Sequence, residues 1–74
     1  MRIVNFETAG VPGIAVNDGS GWHGLTAHES GFPGTLPELI AQGADLLRTG
    51  RRLAPMHSID LNKESVGVAT PVLW

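Results

Sequence analysis

The chain has no cysteine, so neither a disulfide framework nor thiolate ligation of zinc is open to it. A cysteine nucleophile is excluded on the same ground. The absence fits a reducing compartment. Basic residues are few: five Lys and Arg stand against seven Asp and Glu, for a net charge of -2. Such a balance leaves no broad positive footprint for nucleic acid. Long apolar runs are missing too. No stretch approaches the ~18 residues of a membrane span, and the first residues lack the apolar stretch of a signal peptide. Neither a nucleic-acid partner nor a membrane is expected, and the cytoplasm is the expected address.

What remains is a short chain of globular character. Hydrophobic residues make up 42% of it and charged residues 16%, which sets it apart from disordered segments. Its 74 residues allow one small domain. A domain of this size buries only ~60% of its unfolded surface. Without a metal, disulfide or partner, its core supplies a net stability of ~3–5 kcal/mol.

The first third reads as three short strands parted by turns. Ile3, Val4 and Phe6 favour an extended start, with Arg2, Val4 and Phe6 on one face and Ile3 and Asn5 on the other. Thr8-Ala9-Gly10-Val11-Pro12-Gly13 carries turn chemistry, and Ile14-Ala15-Val16 resumes the strand. Asn17-Asp18-Gly19-Ser20-Gly21 breaks it again, with Asp-Gly as a hairpin signal. Trp22-His23-Gly24-Leu25-Thr26 is the third strand, and Trp22 and Leu25 would share a face only through a bulge at Gly24.

Thr35-Leu36-Pro37-Glu38 is a capping box, in which the threonine side chain and the glutamate each satisfy an amide at the helix start. Leu36, Leu39, Ile40 and Leu47 then follow helical spacing, with Gly43 on the same stripe. One helix over residues 36–47 is predicted, stopped by Gly50 in the left-handed region. Residues 57–61 read as extended, with Ile59 and Leu61 on one face. The chain then closes on Val66-Gly67-Val68-Ala69-Thr70-Pro71-Val72-Leu73-Trp74, an apolar run. The expected fold is α+β: a small β-meander of short strands, one helix, and a C-terminal strand leading out of the domain.

No constellation in this pattern carries a reaction. His23, His28 with Glu29, and His57 with Asp60 are the candidate metal ligands, but the helical His-Glu-x-x-His spacing is absent. Ser20, Ser30, Ser58 and Ser65 lie outside any Gly-x-Ser-x-Gly elbow. The seven carboxylates are scattered singly, and no phosphate-cradling glycine motif is present. Arg48, Arg51 and Arg52 form the only basic cluster, which suits the end of a helix. No catalytic, cofactor-binding or metal-ligating residue is predicted.

The order of segments resembles a family. Met1-Arg2-Ile3-Val4-Asn5-Phe6, then Gly13-Ile14-Ala15-Val16, then Gly24-Leu25-Thr26, a helix from Leu36, and the run Ala69-Thr70-Pro71-Val72 are similar to the N-terminal domain of fumarylacetoacetate hydrolase-family enzymes. The resemblance implies a small domain packed beside a larger catalytic domain, downstream or on another chain, in a parent that forms a homodimer. It also implies a parent that uses magnesium or a similar divalent ion as hydrolase, isomerase, decarboxylase or lyase on oxo- or hydroxy-dienoate acids. The family's Gly-x-Asn-Tyr and Glu-x-Glu segments lie beyond this region, so none of its catalytic residues maps onto this chain. Trp22, Leu25, Val72, Leu73 and Trp74 are the expected interface, because large apolar side chains anchor such contacts. A self-standing α+β interaction module is the second reading.

Overall fold

A computed structural model describes residues 1–69. Three strands open the chain: β1 (Arg2–Thr8), β2 (Val11–Asn17) and β3 (Trp22–Thr26). Two helices follow, α1 (Leu36–Ala41) and α2 (Leu46–Leu53), and then β4 (His57–Ser58) and β5 (Ser65–Ala69). The strands form one antiparallel sheet in the order β4-β3-β2-β1-β5. The fold is α+β.

Turn chemistry sets the meander. Ala9 and Gly10 both take positive φ, 50° and 81°, between the paired ends Thr8 and Val11. That is the two-residue turn whose twist suits a hairpin. It is shorter than the glycine- and proline-rich stretch implied, and Pro12 lies inside β2, opposite Glu7. The second connection is held by side chains. Asn17 Oδ1 accepts from the Gly19 amide at 2.8 Å, and Asp18 Oδ1 accepts from the Ser20 hydroxyl at 2.6 Å. The Ser20 hydroxyl and then its amide hold the Asp18 carboxyl below the usual carboxylate range.

The parity of β1 is the one its residue pattern predicts. Met1, Ile3, Ile14, Val16 and Leu25 form a buried cluster with Leu36, Leu39 and Leu53 of the helices. Val4, Phe6 and Ala15 form a second cluster on the opposite face, with Trp22, Ile59 and Leu61 packed against it. Trp22 and Leu25 therefore face opposite ways, and β3 needs no bulge: it pairs regularly with β2 from Asn17↔Trp22 to Gly13↔Thr26. Gly24 is required here for another reason. A Cβ on it would lie 2.7 Å from the Ala15 Cα, so the two backbones approach closer than any side chain permits.

The single predicted helix is two. The Thr35 capping box is present, with Glu38 Oε1 accepting from the Thr35 amide and Thr35 Oγ1 accepting from the Glu38 amide. α1 is only six residues long and is ended, just beyond its cap at Gln42, by Gly43, whose φ is +69°. The Gly43 amide donates to the Ile40 carbonyl and the Ala44 amide to the Leu39 carbonyl, the paired bonds of a Schellman end. Asp45 then caps α2 by accepting from the Arg48 amide at 3.2 Å. Gly43 is thus a terminator with open space around it, and Gly50 is no terminator. Gly50 is a buried residue within α2, over the Met1 side chain. α2 continues to Leu53, and Pro55 stands just beyond its cap at Ala54.

Residues 59–64 cross the sheet from β4 at one edge to β5 at the other. Four inter-strand steps amount to about 19 Å in a flat sheet. The chain from Ser58 to Ser65 reaches at most ~25 Å when fully extended. Turn bonds from Lys63 to Asp60 and from Glu64 to Leu61 shorten it well below that reach. This strap packs Ile59 and Leu61 over Val4, Phe6 and Ala15. β5 pairs back onto β1, with an irregular register between Val4 and Phe6.

Candidate functional site

Polar side chains distant in sequence meet at the β3–β4 edge. Glu29 follows the turn after β3, where its Oε1 accepts from the Thr26 amide at 3.0 Å and the Thr26 hydroxyl at 3.1 Å. Its Oε2 lies 2.6 Å from His57 Nε2. The Thr26 amide is the chief cause that holds the Glu29 carboxyl below the usual carboxylate range; burial pushes it up, and the Thr26 hydroxyl and His57 add to the lowering. His23 Nδ1 lies 3.2 Å from the Met56 carbonyl oxygen. Two histidine contacts thus bracket the start of β4, a strand only two residues long. Their work is to fasten a short edge strand to the meander.

The histidines do not assemble as the sequence spacing grouped them. His57 joins Glu29 rather than Asp60, and His28 is exposed beside Glu29. Asp60 instead accepts from the Asn62 amide and lies 4.0 Å from Lys63. Among the described residues no three His, Cys, Asp or Glu side chains converge as a metal site. The donors present do not fit the divalent ion that the family resemblance implies for a parent enzyme. Glu29 already accepts on both oxygens, and among the described residues no second carboxylate joins it.

The expected interface residues separate. Trp22 is half-buried at the start of β3, packed on the strap-side cluster, and its carbonyl accepts from the Ile59 amide at 2.8 Å. Leu25 is only 3% exposed, because its place in β3 turns it under the helices. It contributes to the core rather than to the surface. Val72, Leu73 and Trp74 lie outside the described residues.

Shallow recesses open on the surface of the described residues. One, a small hollow open to solvent, is lined by Leu25, Gly31, Pro33, Thr49, Arg52, Leu53 and Met56. Another, more open, follows the irregular β1–β5 pairing along Asn5, Phe6, Glu7, Pro12, Val66 and Gly67. Val66 is 51% exposed and Met56 40%. The first recess mixes an apolar wall with one guanidinium. Its sequence signals were present as separate pieces: the cluster Arg48, Arg51 and Arg52, and Met56 after Pro55. Only the fold brings Met56 and α2 against the loop carrying Pro33.

Among the described residues no helix is long and apolar enough to cross a membrane. No protein-family model, no curated protein and no solved structure matches this chain.

Proposed function

We propose that this chain is a non-catalytic bracing domain that packs beside a larger catalytic domain, as its resemblance to fumarylacetoacetate hydrolase-family N-terminal domains implies. The observation that carries the reading is the order of segments. Each quoted segment within residues 1–69 falls on an element of one sheet or on α1, and both faces of that sheet are closed by the chain itself. A domain so closed engages a partner through its rim, and Trp22 at the β3–β4 edge, with Val72, Leu73 and Trp74, would supply the anchors. The parent would be a cytoplasmic homodimer whose divalent ion and reacting groups lie outside this chain.

The intact mass of the native protein tests the reading, taken before any proteolysis. The expected result is a mass well above 7.8 kDa, together with turnover of a dioxo or hydroxy-dienoate acid that depends on a divalent ion. A native mass of 7.8 kDa with both tryptophans buried in the isolated chain would overturn it in favour of the self-standing module.

A further inference from the structure

Three of the chain's five basic residues stand on α2: Arg48, Arg51 and Arg52. Their spacing of three and four places them on one face, within an arc of about 100°. All three are exposed, and none makes an ion pair or a side-chain hydrogen bond among the described residues. Positive charge at a helix C-terminus complements the helix dipole, which accounts for the presence of Arg51 and Arg52 there. It does not account for what lies beside them. Arg52 forms part of the rim of the recess whose walls are Leu25, Pro33, Leu53 and Met56, and whose other polar side chain is Thr49. Met56 remains 40% exposed there, the flexible thioether type that adapts to an incoming apolar group.

We propose that this recess and the arginine face of α2 form a docking surface for an acidic segment of a partner protein. One aliphatic side chain of that segment would enter the recess, and carboxylates beside it would meet Arg52 and its neighbours. Charge complementarity favours this occupant, because the surface concentrates three cations that have no partner among the described residues, on a chain of net charge -2. The apolar wall distinguishes it from a bare anion site. A phosphate or nucleic-acid backbone has nothing to place against Pro33 and the exposed Met56. A guanidinium also suits carboxylates, which it engages with two parallel hydrogen bonds. This surface is separate from the Trp22 rim, so it stands or falls independently of the bracing role.

The test is a titration of the isotope-labelled 74-residue chain, followed through its backbone amide resonances. The probe is the end-blocked peptide Glu-Glu-Leu-Glu-Glu, taken to about 10 mM. The expected result is saturable shifts at Thr49, Arg52, Leu53 and Met56, weakened at least about fivefold by R52Q or by about 0.5 M NaCl. Replacing the peptide leucine with glycine should weaken binding to a similar degree. Salt and the glycine peptide act on the unaltered chain, so the result does not depend on how R52Q folds. Equal binding of the glycine peptide would overturn the proposal, leaving only a cationic patch. So would the absence of shifts, shifts confined to other residues, or shifts at these residues produced by raising protein concentration alone, which would assign the surface to a second copy.

Discussion

One face of the sheet is covered by two helices, each fixed by its own cap, and the other by a strap that contributes Ile59 and Leu61. The helix face buries Leu36, Leu39 and Leu53 to 4% exposure or less, whereas Ile59 and Leu61 stay partly exposed. Val4, Phe6 and Ala15, against which they pack, are nevertheless 2% exposed or less. The helix side carries more of the stability, and the strap side carries more of the shape.

The largest expected effect separates these two roles. Leu53→Ala removes a side chain 2% exposed and should cost ~2–5 kcal/mol. A domain with only ~3–5 kcal/mol in hand would lie near or past its unfolding midpoint. Ile59→Ala removes a partly buried group and should cost about 1–2 kcal/mol, leaving a folded protein. Urea unfolding followed by far-ultraviolet circular dichroism compares the two. A larger loss for Ile59→Ala would reverse the assignment of stability to the helix side.

Glycines sharpen the same contrast. A Cβ on Gly13 would run into the Phe6 ring, which is 2% exposed and confined beneath the strap. Gly13→Ala should cost ~1–3 kcal/mol by overpacking. A Cβ on Gly50 would meet the Met1 thioether, which rotates more readily, and alanine favours the helix by up to ~1 kcal/mol. Gly50→Ala should therefore change stability by less than Gly13→Ala. Their denaturation midpoints, measured side by side, decide it.

The caps give the next effect in size. Thr35→Ala and Asp45→Ala should each cost ~1 kcal/mol, because each removes a side-chain acceptor from a helix start. Only the first of these caps is plain in the sequence. Thr35 is followed by Pro37 and Glu38, a local pattern complete within four residues. Asp45 caps a helix whose beginning depends on Gly43 leaving the previous one, and a glycine on an apolar stripe reads equally well as a packing position. Gly50 misled in the other direction: its place over Met1 is set by how α2 crosses the sheet, which no local window contains. The β1 parity and the first three strands were legible because alternation and turn residues are local. The strap was half-legible, since Ile59 and Leu61 share a face in any register, but the edge-to-edge crossing is a long-range fact. The site followed the same rule. His57 and Glu29 are twenty-eight positions apart, and only the β3–β4 pairing brings them together.

That contact yields the smallest predicted effect. The Glu29 carboxyl is held below its ordinary value of 4.5, chiefly by the Thr26 amide, so folding favours its ionised form. Its contribution is fully present above the unfolded value and is lost as pH falls through the lower folded value. Asp18 and Glu38 are also lowered, by Ser20 and Thr35, so the whole protein should lose stability on acidification for more than one reason. The difference between wild type and Glu29→Gln isolates the edge contact. Glutamine cannot ionise, so the wild-type advantage should be present at pH 6 and should shrink towards pH 3. The loss should appear first where β4 is fastened, as faster amide exchange at Ile59, whose amide donates to the Trp22 carbonyl beside β4, than at Leu39 under the helices. Equal stability changes in the two proteins between pH 6 and pH 3 would show that the Glu29 contact does not hold the edge.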